Sequence, residues 1–230
     1  MTEMAMPSVS VPSRTEAVLD ALKHAILTGR LPPGRPLVEN DLAAQLGVSK
    51  TPVREALKTL AGAGLVTMSP YKGATVRTVD DALAHSVYDI RILLEPEAVR
   101  RSVERGARSG DGAAPHWTAA AAALDAADRA GDRADRSLAN REFHRALYLG
   151  CGNDLMVGML DGLRDQTALV SAVVWDRSPS WEREAAEHRA ILDAALDGSA
   201  DLAAGLLREH IAAFVERNFS RTGPDGAPAP

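Results

Sequence analysis

The chain holds a single cysteine, Cys151, in 230 residues. That excludes an internal disulfide and any zinc cluster built from thiolates, and it suits a reducing compartment. Aromatic residues make up only 4% of a chain that is 46% hydrophobic, so its cores must be assembled mainly from Ala, Leu and Val. No apolar run approaches the roughly 20 residues needed to span a bilayer, and no signal peptide precedes the first predicted helix. These absences predict a cytoplasmic protein without membrane association. Strand-like alternation is confined to a short stretch before residue 80, and no fixed-period repeat points to a solenoid. The length allows one large domain or two small ones. Residues 1–10 and the Thr-Gly-Pro-Asp-Gly-Ala-Pro-Ala-Pro tail at 222–230 have the composition of disordered ends.

The most informative stretch is 37–66, LVENDLAAQLGVSKTPVREALKTLAGAGLV. Leu42, Ala43, Leu46 and Val48 follow the spacing of a short amphipathic helix, and Gly47 supplies the left-handed turn that ends it. Ser49 is placed as an N-cap for a second helix over about 50–63. Helix, tight Gly turn and helix is the plan of a helix-turn-helix, whose second helix enters the major groove of DNA. Its first turn offers Ser49, Lys50, Thr51 and Arg54, all donors suited to phosphates or base edges.

Two β-rich segments follow, at 65–69 and 74–78, joined by a turn at Pro70-Tyr71-Lys72-Gly73. A hairpin behind a helix-turn-helix is a wing, with Lys72 as charge and Gly73 as the point of close backbone approach. Upstream, 14–28 reads as an amphipathic helix with Val18, Leu19, Leu22, Ile26 and Leu27 inward, broken by Gly-Arg-Leu-Pro-Pro-Gly at 29–34. Residues 11–79 carry nine Lys/Arg against five acids, whereas the rest of the chain carries 17 against 26. The sign of the charge therefore changes at the predicted domain boundary. A basic face can hold phosphates on an acidic protein because surface potential is local at physiological salt.

From 80 to 221 the pattern is helical almost throughout. Helices are predicted at about 80–108, 113–130, 133–150, 153–175, 180–197 and 199–220, with breaks at Ser109-Gly110-Asp111-Gly112, Gly131, Gly150/Gly152, Ser178-Pro179 and Gly198. Pro96 predicts a kink near Glu95, or two helices meeting there. Asn153 reads as a cap for the helix that follows it. Met156, Met159, Leu163, Val170 and Trp175 read as core. The fold class is therefore mainly α, a winged helix-turn-helix followed by an antiparallel helical bundle.

Three of the six histidines take inward positions. His144 follows Asn140 by one helical turn among Phe143, Leu147 and Tyr148; His188 aligns with Ile191, Leu192 and Ala195; His210 falls with Leu206, Leu207 and Phe214. Buried imidazoles need partners, which either core hydrogen bonds or one shared cation can supply. His24, His85 and His116 lack this pattern and read as surface or local residues.

The stretch LAAQLGVSKTPVREAL, the GRLPPG turn and the Gly-bearing wing resemble the winged-helix domain of GntR-family transcription regulators over about 11–79. The resemblance implies a dimeric regulator that reads an inverted repeat of double-stranded DNA. It carries DNA contacts over to Asn40, Ser49, Lys50, Thr51, Pro52 and Arg54, with the wing at Lys72 and Gly73. Lys50 stands where many members have Arg, as does Asn40, and a Lys cannot make Arg's two-pronged contact with guanine.

RILLEPEAVR, NREFHRAL, CGND, EHRAILDAALDGSADLA and LREHI are similar to the FCD ligand-binding domain of the FadR-type branch. That likeness implies a divalent metal held by Asn140, His144, His188 and His210, with Asn140 standing where many members have Asp. Three imidazoles and one oxygen suit zinc or nickel. The same likeness makes Arg91 the clamp for a small carboxylic-acid effector, against the alternative of a surface salt bridge to Glu95. Arg145 is expected to project away from the pocket. The resulting expectation is a repressor that releases its operator when an organic acid binds. Two alternatives remain open, a regulator whose metal site is purely structural and, more remotely, a metal-dependent hydrolase.

Overall fold

The computed structural model describes residues 13–70, 73–109, 115–177 and 181–219. Among them are nine helices and three short strands. The expectations for residues 1–10 and 222–230, for Lys72, and for the breaks within 110–114 and 178–180 lie outside the described residues.

The N-terminal unit begins with α1 (Arg14–Leu27), opened by a reciprocal capping box between Ser13 and Glu16. A two-residue strand, β1 (Pro36–Leu37), precedes α2 (Glu39–Leu46), and α2 ends at Gly47 with φ +65°. A side chain at Gly47 would be strained in that left-handed conformation, which turns the chain directly into α3 (Lys50–Gly62). Val53, Ala56, Leu57 and Leu60 bury one face of α3 at i, i+3, i+4, i+7 spacing. β2 (Val66–Ser69) and β3 (Gly73–Val76) form the hairpin, with Val66 opposite Val76 and Ser69 opposite Gly73. β1 adds to the far edge of β3, giving a sheet ordered β1-β3-β2. One apolar assignment fails: Leu46 is 36% exposed, whereas Val48, half-buried, packs against the core.

The second unit contains α4 (Asp81–Ser109), α5 (Pro115–Arg129), α6 (Arg133–Leu149), α7 (Asp154–Arg177), α8 (Trp181–Leu196) and α9 (Ala200–Asn218). α5 lies against α6, and α9 against both α4 and α8. α4 is one continuous helix through Pro96. Proline lacks the N–H that would serve the carbonyl of Ile92, and Arg208 of α9 donates to that carbonyl instead, at 3.1 Å. The Asn153 carboxamide caps α7, accepting from the Met156 amide at 3.1 Å. Val170 and Trp175 are core residues, but Met159 is 53% exposed and not core.

α7 joins the two units. Ala168 and Leu169 pack into the core of the winged helix with residues of α1, α3 and the sheet. Asp165 of α7 pairs with Lys23 of α1 at 2.5 Å, and Gln166 lies against Gly64. No described helix is long and apolar enough to cross a membrane.

Candidate functional site

On the winged helix, α3 turns its polar side outward because its apolar side is consumed by the core. Ser49, Lys50, Thr51 and Arg54 are exposed and Pro52 is half-buried. The Ser49 hydroxyl makes no capping bond to α3, so it stands at the N-cap position without serving the helix. Asn40 is exposed in the first turn of α2, and Gly73 is exposed at the hairpin with φ +71°. Arg54 is held by Glu39, its Nε and one terminal nitrogen donating to the two carboxylate oxygens at 2.8–3.1 Å. Those bonds lower the Glu39 carboxyl's affinity for a proton. Glu39 thus orients the guanidinium at the solvent face of α3, a contact that sequence spacing did not reveal.

In the bundle, α6, α8 and α9 bring His144, His188 and His210 together, with one ring nitrogen of each within 4.8 Å of the others. The Nε2 atoms of His188 and His210 face each other at 3.1 Å. Two nitrogen ligands of one ion, each at about 2.0–2.1 Å, would stand about 3.0–3.4 Å apart. His210 points its other nitrogen, Nδ1, at the Glu187 carboxylate 2.6 Å away. Such an outer hydrogen bond turns a metal-binding imidazole and fixes its tautomer. His144 is held in the same manner from α4, its Nδ1 lying 3.2 Å from Glu95. The Asn140 Oδ1 atom is buried without a hydrogen-bond partner, an acceptor that a cation would satisfy. The donor set therefore fits a divalent metal.

The charge state agrees. Burial pushes His144 down to about 4, although Glu95 opposes the shift. Burial, aided by the neighbouring imidazoles and Arg91, holds His188 well below 6.5. Both rings are thus neutral near pH 7, the form that ligates metals.

Arg91 of α4 makes a two-pronged pair with Glu95, at 2.5 and 3.2 Å, and lies 3.4 Å from His144 Nδ1. The pair is not on the surface: the two residues are 5% and 4% exposed. Burial alone would raise the Glu95 carboxyl, but the Arg91 charge and the His144 hydrogen bond outweigh it and hold the group at about 2. The Arg91 guanidinium also lies 4.7 Å over the ring of Tyr88. Beside this pair opens a small cavity lined by Arg91, Glu95, Asn140 and His144 and by Arg141, Arg164, Thr167 and Ser171. Arg145 is bound by Asp161 outside it, as its position on α6 predicts. His116 is half-buried and packs on Trp117.

Sequence reasoning missed Glu95 and Glu187 as partners of the histidines, and it missed Arg141 and Arg164 at the cavity. The i+4 step from Arg91 to Glu95 was visible, as was the adjacency of Glu187 to His188. Neither reveals a contact made across helices.

Comparison with known proteins accounts for both halves of this architecture. Residues 14–76 match the bacterial regulatory proteins of the gntR family, and residues 86–213 match the FCD domain. A probable D-xylose utilization operon transcriptional repressor of Paenarthrobacter nicotinovorans is 31% identical over 211 residues, covering 91% of each chain. Among solved structures, a putative GntR transcriptional regulator from Rhodococcus sp. RHA1 superposes with a TM-score of 0.77 at 27% identity, over 90% of this chain and 97% of that one. McbR/YncC of E. coli gives 0.74 at 25% identity, over 90% and 99%. With an exposed recognition helix at one end and a histidine-lined helical bundle at the other, the chain belongs to the GntR family of DNA-binding transcription regulators, in the branch that carries an FCD domain, and is not an enzyme.

Proposed function

We propose that the protein is a cytoplasmic, homodimeric repressor whose grip on an inverted-repeat operator is set by a small carboxylic acid bound beside a divalent metal. Asn40, Ser49, Lys50, Thr51, Pro52 and Arg54 would meet the operator, with Lys72 and Gly73 of the wing. Asn140, His144, His188 and His210 would hold the metal, zinc or nickel by the softness of three imidazoles and one amide oxygen. The metal, when bound, supplies a positive Lewis-acid centre for the acid's oxygen. Arg91 adds a guanidinium to the same cavity wall. The observation that carries this reading is the convergence of three imidazoles on one point, with the unpartnered Asn140 oxygen beside a solvent-reachable cavity. The likeness to the Paenarthrobacter relative, a probable repressor, supports the direction of control.

Mechanistically, the acid acts by population shift. A ligand that prefers the arrangement unable to bind DNA by about 3 kcal/mol weakens operator binding roughly a hundredfold. A second reading, a purely structural metal site without an effector, is favoured by one observation: Arg91 is already committed to Glu95. One experiment separates the two. Operator binding is followed by fluorescence anisotropy with metal-loaded and chelator-treated protein across a panel of small acids. Release by an acid in the metal-loaded protein alone supports the sensor. Tight binding indifferent to every acid and to the chelator leaves the structural reading.

A further inference from the structure

The cavity beside the histidines carries more positive charge than one carboxylate needs. Its wall holds three guanidinium groups, Arg91, Arg141 and Arg164, against the single carboxylate of Glu95. Arg91 and Glu95 satisfy each other. The other two arginines come from different helices, Arg141 from α6 and Arg164 from α7. Each has a buried Nε–H without an acceptor. One terminal nitrogen of each is served by a carboxylate, Arg141 by Asp165 at 3.1 Å and Arg164 by the largely exposed Glu142, with Asp161 4.0 Å from the other terminal nitrogen of Arg164. Asp165 is itself shared with Lys23 of α1, so Arg141 has only part of a counter-charge. Two buried, unpartnered donors on two cations that line one cavity are the hydrogen-bonding complement of an oxyanion.

We infer that Arg141 and Arg164 form a second acid-binding subsite, so that the effector is a compact molecule with two acidic groups, one beside Arg91 and the histidines and the other on this arginine pair. The inference rests on the sensor reading above. The second group is a carboxylate or a phosphate, either of which accepts two N–H bonds from an arginine pair. A monoacid of the same length would leave the two donors unmet, and a pocket built for a polar group discriminates strongly against a ligand that lacks it. Because Asp165 is shared with Lys23, an anion that takes over Arg141 also changes the contact between α7 and the winged helix.

The test is calorimetric titration of the full chain, loaded with zinc, with pentanoate, glutarate and 3-phosphoglycerate. Glutarate or 3-phosphoglycerate is expected to bind at least tenfold more tightly than pentanoate, the better of the two identifying the second group. Arg164→Gln is expected to collapse that preference, with Arg145→Gln, which lies outside the cavity, as the control that retains it. Arg164→Lys keeps the charge but not the Nε–H, and falls between them; it serves also if the Gln variant does not fold. Equal affinity for mono- and diacids, or a preference that survives both Arg164→Gln and Arg141→Gln, overturns the subsite while the sensor stands. Failure of the zinc-loaded wild type to bind any of these acids overturns the sensor reading, and the subsite with it.

Discussion

Lys50 and Arg54 stand one turn apart on α3 with different freedom. Arg54 is clamped by Glu39, whereas Lys50 is exposed in the first turn. A flexible ammonium serves phosphates better than base edges. Lys50→Ala should therefore weaken binding about equally across operator sequences and lower the salt dependence by about one counterion, measured by anisotropy at several salt concentrations. A loss confined to one base pair would show instead that Lys50 reads sequence. At the proposed metal site, Glu187→Gln keeps the size of the group hydrogen-bonded to His210 but removes its charge. Metal affinity should fall about 10- to 100-fold, read by competition against a chromophoric chelator. The histidines also set a pH dependence. An unfolded chain takes up the His144 proton near 6.5, the folded chain only near 4. Between these values the unfolded state binds more protons, so stability is full above 6.5 and is lost as pH falls towards 4. For His144 alone, urea melts of metal-free protein should lose about 2 kcal/mol between pH 7 and pH 5. His188 acts in the same direction. Glu95, held near 2, contributes its own loss only below its ordinary 4.5.

Among the elements, α4 depends on a side chain from another helix. With Pro96 in place, the Ile92 carbonyl relies on Arg208, and Arg208→Ala should lower stability by about 1 kcal/mol, seen as a drop in Tm. In Pro96→Ala the helix regains its own donor, so the same Arg208 substitution should cost less there. The helices were legible because Gly, Pro and capping residues punctuate a 3.6-residue apolar period, and α1, α3 and α4 to α9 lie within a few residues of expectation. β1 was not legible, since two residues cannot alternate. The three histidines could be picked out because each sits one or two turns from apolar neighbours on its own helix, whereas Asn140 came only with the family resemblance. Glu95, Arg141 and Arg164 could not be assigned, because their roles arise where α4, α6 and α7 meet. Met159 was misread for a related reason: α7 is apolar on several sides, and periodicity cannot say which side lacks a neighbour.

At the scale of the molecule, α7 belongs to both units. One side reaches the cavity through Arg164, Thr167 and Ser171, and Ala168 and Leu169 complete the core of the winged helix. Gly64 marks how close that approach is: its φ is +73°, and a Cβ there would lie 2.7 Å from Gln166. Gly64→Ala should cost at least about 1 kcal/mol from backbone strain alone. Adding Gln166→Ala should recover the part due to collision, a double-mutant cycle on thermal unfolding that measures the contact between the units.

The sharing of α7 limits how this regulator could have been assembled by recombination. A crossover near residue 79 would separate two continuous stretches of chain, yet it would strip the DNA-reading half of Ala168 and Leu169, residues encoded far downstream. A foreign sensing half would be accepted only if it delivered a small and a large aliphatic side chain to the same spot. Chimeras designed at the linker should therefore be screened first at the positions equivalent to 165, 166, 168 and 169.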